Sequence, residues 1–206
     1  RGGGPSEGRT LTVSTWQSDK SLHHPIFQVL EQDSRDAGID VRWRAEGELA
    51  GHRNVLIAGL THARGDIDDD RFVNVAGHAG ARTNRFEQRA TNTKAHVENQ
   101  TWLDEKWVLA LGAQALHSTR RSRDGFITGG RDESLDVDYS GVSPKLGVRY
   151  LLDDTAQLFA NLSRSLEPPS FGELTGGPGV TQVDEQKATT AEVGLRVQRD
   201  VLSLDA

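Results

Sequence analysis

Apolar residues recur at every second position over long runs of this chain, and this pattern constrains the fold more than any other feature. In the run KATTAEVGLRVQ (residues 187–198), the apolar residues Ala191, Val193, Leu195 and Val197 alternate with polar or small ones. Successive side chains of a strand point to opposite faces, whereas a helix repeats about every 3.6 residues. The run therefore predicts a strand with one apolar face and one polar face.

The same alternation recurs along most of the chain. Two long segments, 85–102 and 106–121, are predicted strands. The second is rich in Ala and Leu, which also form helices well. Trp107, Val108 and an alternation that matches the neighbouring segments favour a strand there. Further strands are predicted at 10–16, 37–46, 54–63, 143–152 and 157–164. The prediction is an all-β antiparallel meander of about nine strands.

The predicted connections alternate in length. Short ones fall at residues 47–53, 103–105, 153–155 and 199–200, and long ones at 65–84, 122–134 and 165–185. Long loops in a compact domain are uncommon unless they carry function. The pattern predicts one plain rim and one rim of functional loops.

Composition excludes several classes of function. Lys and Arg number 24 against 30 Asp and Glu, with both signs scattered, so no basic field would attract nucleic acid. Cysteine and methionine are absent, and no apolar run reaches the length of a membrane helix. The opening RGGGPSEG lacks the Gly-Lys-Ser/Thr end of a phosphate loop, and no nucleophile and base pair stands out, which disfavours an enzyme.

Alternating strands can build either a soluble sandwich or a membrane barrel. A mean hydropathy of −0.56 favours the sandwich. Strands longer than the usual five or six residues, charged residues on the polar face, and aromatics near strand ends (Trp43, Trp102, Trp107, Tyr150) favour the barrel.

A long part of the sequence resembles a known family. The run SPKLGVRYLLDDTAQLFANLSRSLEPPSFGELTGG, followed by QKATTAEVGLR, is similar to the barrel of TonB-dependent outer-membrane receptors of the siderophore-receptor type. The resemblance implies a large, 22-strand type of transmembrane β-barrel in the bacterial outer membrane. It also implies import of a ferric siderophore or similar metal chelate, energised by the TonB complex through a plug domain, with outer-membrane lipid around the barrel.

Residues 1–206 are expected to be a partial barrel, with the plug domain and the C-terminal strands absent. Two alternatives stay open at this point: a passive channel or adhesive barrel, and a soluble β-sandwich that binds carbohydrate. The barrel reading predicts that Val193 and Leu195 face lipid, while Glu192 and Arg196 face the lumen. It also predicts that residues 165–185, which contain Pro168 and Pro169, form an extracellular loop, and residues 153–155 a periplasmic turn.

Candidate ligand residues are arginines and aromatics in or beside the long loops, because guanidinium and ring faces together suit an anionic, ring-bearing ferric chelate. They are Arg71, Phe72, Arg82, Arg120, Arg121, Arg123, Phe126 and Phe171.

No catalytic residue, metal ligand or cofactor is assigned. The acidic run GDIDDDRF (residues 65–72) is read as a solvated loop because it lacks the residue order of an EF-hand. The adjacent His23 and His24 would face opposite ways on a strand. The resemblance also makes His78 a candidate haem contact, since haem receptors of the family use loop histidines.

Overall fold

The computed structural model describes residues 8–175, 180–199 and 202–205. These residues form nine strands and one short helix, and the strands make a single antiparallel sheet in chain order. This confirms the predicted meander. The elements are β1 (Arg9–Pro25), β2 (Gln28–Leu49), β3 (His52–Val75), β4 (His78–Trp102), β5 (Trp107–Asp124), β6 (Leu135–Leu151), β7 (Ala156–Glu167), α1 (Phe171–Thr175), β8 (Gln186–Arg199) and β9 (Leu202–Asp205).

The strand register joins the apolar faces of eight strands into one continuous surface, the apolar face. Trp43 lies opposite Leu11 in one ladder, and Leu158 opposite Leu195 in another. The apolar face comprises Leu11, Val13, Val41, Trp43, Ala58, Leu60, Val97, Leu111, Ala113, Leu146, Val148, Leu158, Ala160, Leu162, Val193 and Leu195.

The apolar face is not covered by a second layer in the part of the chain that the structure describes. Val193 is 81% exposed and Leu11 is 65% exposed. A soluble sandwich would bury these side chains against a second sheet. The described residues form one sheet, which is not the two-layer arrangement that the sandwich alternative predicts. The buried side chains, such as Phe86, Leu116 and Tyr139, lie instead on the opposite surface, the polar face.

Three aromatic residues lie at one end of the strands. The rings of Trp107 and Tyr150 are neighbours across the β5–β6 ladder, with centroids 4.8 Å apart. Trp102 lies on the polar face, where the Arg53 guanidinium is 4.3 Å from its ring centroid. Aromatics thus mark the rim that carries the short turns.

Several strands are much longer than the apolar band that they carry. β3 has 24 residues and β4 has 25, whereas about 9–11 tilted residues cross a bilayer. Beyond the band, the same surface of the sheet carries ion pairs: Arg35 Nε lies 2.7 Å from Asp19 Oδ1, and Arg89 Nε lies 2.6 Å from Asp66 Oδ1. The strands therefore continue well past the apolar band into a polar environment.

The predicted long loop at residues 65–84 is wrong. β3 runs to Val75, β4 starts at His78, and only Ala76 and Gly77 connect them. The φ angles of these two residues are 53° and 89°, the left-handed values that a tight type I′ hairpin turn requires. Past the apolar band both faces of the hairpin are polar, so the alternation that identifies a strand is lost there.

The other connections are closer to the prediction. β5 and β7 each extend into the predicted loop, which leaves residues 125–134 and 168–185 as the long connections. Short turns join β2 to β3, β4 to β5, and β6 to β7, as predicted; the turn at 199–200 falls partly outside the described residues. Among those residues, no helix has the length and apolarity needed to cross a membrane.

Candidate ligand-facing site

Polar side chains from β3, β4 and β5 form a cluster on the polar face, at the upper edge of the apolar band. The register places Thr61 opposite Lys94, and Asn92 opposite Ser118. Arg120 lies two residues beyond Ser118 on the same face of β5. Strand alternation puts all five side chains on one surface, because each is separated from the next in its strand by one residue that faces the other way.

Arg120 is the centre of this cluster. Its Nη1 donates to Asn92 Oδ1 at 3.1 Å, to Ser118 Oγ at 2.6 Å and to the Thr119 carbonyl at 2.9 Å. Its Nε donates to the Pro169 carbonyl at 3.0 Å. The residue is only 8% exposed, and no carboxylate of the described residues lies within 4.0 Å of its guanidinium. A buried guanidinium held by neutral acceptors alone keeps an uncompensated charge.

The connection after β7 folds back over this cluster. Besides the bond from Arg120 to Pro169, Tyr139 Oη donates to the Val183 carbonyl at 3.0 Å. Leu174 of α1 is 1% exposed, and Gln88 Nε2 donates to Thr175 Oγ1 at 3.4 Å. Residues 168–175 and 180–185, here called the inward segment, therefore pack against the polar face.

A capped turn shapes the inward segment. Ser170 precedes α1, and both its backbone N–H and its hydroxyl donate to Glu173 Oε2, at 2.7 and 2.8 Å. This is the reciprocal half of a capping box. These two hydrogen bonds lower the pKa of the Glu173 carboxyl.

A pocket of about 410 Å³ lies between the polar face of β3, β4 and β5 and the start of the inward segment. Its lining includes the two cationic side chains Lys94 and Arg120, and Pro168 closes one side. Glu167 is the one acidic residue of the lining. It makes no ion pair with either cation among the described residues. The pocket can therefore hold a small anionic group.

The predicted ligand residues Arg71 and Arg120 both lie on the polar face, although on strands rather than in loops. Arg71 Nη2 is 2.8 Å from Asp69 Oδ2, and its guanidinium is 5.8 Å from the Phe86 ring centroid. Asp69 is only 2% exposed. Arg71 thus has an acidic partner on the polar face, unlike Arg120.

Phe72 and Arg82 meet near the tip of the β3–β4 hairpin, where the register shifts. The Arg82 guanidinium is 5.4 Å from the Phe72 ring centroid, and its Nε lies 3.1 Å from Asp70 Oδ1. The bulge between Phe72 and Asn74 brings the two side chains together.

Arg121 and Arg123 lie on the opposite surface from Arg120. Arg121 Nε is 3.1 Å from Asp136 Oδ1, and Arg123 lies opposite Glu87 in the β4–β5 ladder. The structure does not bring these two arginines to the polar face.

Phe126 and Phe171 belong to the two long connections. The Phe126 N–H donates to Asp124 Oδ1 at 2.8 Å. Phe171 is the first residue of α1, and its carbonyl accepts from Thr175 Oγ1 at 2.9 Å. Sequence reasoning missed Thr61, Asn92, Lys94, Ser118 and Tyr139, since it searched for ligand residues in loops; their polar-face phase was the available signal.

The acidic run at residues 65–72 lies in β3, which corrects its assignment to a loop. Asp66 and Asp68 share one surface of the strand and Asp69 lies on the other. No group of three or more metal-ligating side chains occurs among the residues that the structure describes. His78 is an exposed residue beside the hairpin turn.

An uncovered apolar face that backs a polar, partly cationic face is the arrangement of a transmembrane barrel wall. The family model described as TonB dependent receptor-like, beta-barrel, matches residues 4–206. The chain belongs to this family, whose members are transporters of the bacterial outer membrane. The predicted resemblance to the barrel of TonB-dependent receptors is thereby confirmed.

Solved structures support the same fold. The ferric citrate transporter FecA in its unliganded form matches 95% of this chain with a TM-score of 0.76 and 16% identity. FpvA of P. aeruginosa, bound to heterologous pyoverdines, matches 95% with a TM-score of 0.75 and 12% identity. The copper transporter OprC matches 95% with a TM-score of 0.66 and 14% identity.

This chain spans 30% of FecA, 29% of FpvA and 34% of OprC. It corresponds to about a third of each of these proteins. None of the curated proteins matches it significantly in sequence.

Proposed function

We propose that this chain forms part of the barrel of an outer-membrane receptor that imports a ferric siderophore or similar metal chelate. The polar face lines the lumen, the apolar face contacts outer-membrane lipid, and the TonB complex supplies the energy through a plug domain. The chelate is a substrate, and no resident cofactor takes part.

One observation supports this proposal most: the inward segment folds onto the polar face over Arg120 and Lys94, neither of which has an ion-pair partner among the described residues. A wall that served only to enclose an aqueous channel would need neither a buried guanidinium nor a segment packed upon it. Buried charge without a partner is costly, so its presence favours a binding function. The similar structures of FecA, FpvA and OprC, which are named for ferric citrate, pyoverdine and copper, support this class of substrate.

The proposal is tested by iron uptake in cells that carry the full-length receptor. Deleting its gene should abolish uptake of at least one radioactive ferric chelate under iron limitation. Deleting TonB should have the same effect, because the plug would no longer be moved. Uptake that persists without TonB would identify a passive channel, and the proposal would then be wrong.

A further inference from the structure

Two cationic side chains face one pocket without an acidic partner. Arg120 and Lys94 both line the pocket of about 410 Å³. Among the described residues, neither has a carboxylate within ion-pair distance, and no hydrogen bond of Arg120 uses Nη2. One nitrogen of the guanidinium and the whole ammonium group of Lys94 are thus available to a ligand.

The surrounding residues hold Arg120 in place. Asn92, Ser118 and the Pro169 carbonyl accept from Nε and Nη1, so the side chain is oriented before any ligand arrives. Preorganised donors in a water-poor site bind an anion more strongly than flexible exposed ones, because less conformational entropy is lost. Arg120 is therefore a hydrogen-bond donor whose orientation is fixed before a ligand binds, unlike a mobile surface arginine.

We propose that Arg120 and Lys94 form an oxyanion site that takes a carboxylate group of the imported chelate. The site deepens the proposed function, on which it rests, by assigning the substrate an anionic oxygen group. Charge-assisted hydrogen bonds from a guanidinium and an ammonium group are the strong ones for such a ligand. Glu167, on the rim of the same pocket, repels a second anion and limits the charge that the site accepts.

The position of the pocket supports a ligand as the occupant. On the other surface of β5, the residue beside Arg120 is the ion-paired Arg121, which lies beyond the apolar band. The pocket therefore lies at the upper edge of the apolar band, where the long strand extensions begin and where a ligand would arrive. Because the Pro169 carbonyl accepts a hydrogen bond from Arg120, a ligand that binds Arg120 would also act on the inward segment.

The test uses the purified full-length receptor in detergent and iron-free citrate as the carboxylate probe, measured by equilibrium dialysis. Citrate should bind, and Arg120→Gln and Lys94→Gln should each weaken binding by about tenfold, the loss of one charge-assisted hydrogen bond. Glu167→Gln should tighten binding. Arg89→Gln is the matched control, because Arg89 lies on the same strand as Lys94, on the other surface, and pairs with Asp66; it should leave binding unchanged.

Two results would overturn the proposal. The first is citrate affinity that Arg120→Gln and Lys94→Gln leave unchanged. The second is that citrate does not bind, while the unfolding temperature falls in Arg120→Gln but not in Arg89→Gln. That result would show that Arg120 pairs with a carboxylate of the receptor itself. Uptake of ferric chelates is measured separately, so TonB-dependent uptake without citrate binding would leave the proposed function intact.

Discussion

At the residue scale, neighbouring side chains of one strand meet different surroundings. In β8, Val193 is 81% exposed on the apolar face, whereas the preceding Glu192 accepts a hydrogen bond from Asn161 Nδ2 at 3.2 Å on the polar face. Arg196, also on the polar face, lies 5.6 Å from the Phe159 ring centroid. The effect of a substitution therefore depends on whether the residue lies on the apolar or the polar face, more than on its position along the strand.

Leu195→Arg should destabilise the full-length receptor in a bilayer by about 2–4 kcal/mol if the residue lies near the midplane, because a charge would face lipid. Thr190→Arg, on the polar face of the same strand, should change stability by no more than about 0.5 kcal/mol. Denaturant unfolding in vesicles measures both. Equal costs for the two variants would show that the assigned faces are wrong.

The inward segment should loosen in acid. Hydrogen bonds from Ser170 depress the pKa of Glu173, so their stabilisation is present above the unfolded pKa of glutamate and is lost as pH falls through the lower folded pKa. The protection of the α1 amides, which is the intrinsic exchange rate at each pH divided by the observed rate, should therefore fall over that acidic window. In Glu173→Gln the exchange should be faster at neutral pH and lack this pH step; a step that survives the substitution would implicate another group.

At the scale of elements, two hairpins turn through an Ala-Gly pair. The φ angles are 52° and 81° at Ala50 and Gly51, and 53° and 89° at Ala76 and Gly77. Alanine is strained in this left-handed region, which asparagine tolerates better. These two-residue turns fix the register of the longest ladders.

Ala76→Asn should stabilise the β3–β4 hairpin by up to about 1 kcal/mol, and Ala76→Val should destabilise it by a similar amount. The matched control is Ala79→Asn, an exposed residue with ordinary φ just after the turn. Hydrogen exchange of the hairpin tip in the full-length receptor measures the change. Stabilisation by the control as well would attribute the effect to polarity and not to the turn.

The element scale also separates what could be predicted from what could not. The strands at 143–152, 157–164 and 187–198 were predictable because each carries an apolar and a polar side. The strand character of residues 65–84 was not, because polar side chains such as Asp66 and Asp69 lie on both surfaces of the hairpin there. There the strands are joined by the backbone ladder and by ion pairs such as those of Arg89 with Asp66 and Arg82 with Asp70, and the sequence has no binary pattern.

At the scale of the whole molecule, the apolar face and the rims define an orientation in the membrane. The rim with the β3–β4 tip carries the long strand extensions, and the opposite rim carries the short turns. Asp153 closes one of these turns by accepting from the Thr155 N–H at 2.7 Å. In the proposed receptor, the long extensions are extracellular and the short turns periplasmic.

An epitope inserted between Ala76 and Gly77 of the full-length receptor should bind antibody on intact cells. One inserted between Asp153 and Asp154 should bind antibody only after the outer membrane is permeabilised. Flow cytometry with both insertions distinguishes the two orientations. Staining of the second site alone on intact cells would invert the topology and place the inward segment on the periplasmic side.

The 206-residue chain expressed by itself should aggregate in buffer without detergent. Its apolar face is uncovered, and an exposed sheet surface of that size associates with other copies. Size-exclusion chromatography with and without detergent measures this. A monodisperse monomer in plain buffer that melts cooperatively would contradict the membrane-facing assignment.

Sequence alone was enough to predict the strands that have one apolar and one polar side, because alternation is a local property that each such strand displays on its own. The resemblance of residues 143–197 was enough to indicate the family. The assembly of the site depends on tertiary contacts. Arg120 bonds a carbonyl 49 residues away in the chain, and Lys94 reaches the same pocket from a neighbouring strand. Such contacts depend on register and on the path of the inward segment, which the pattern along a single strand does not encode.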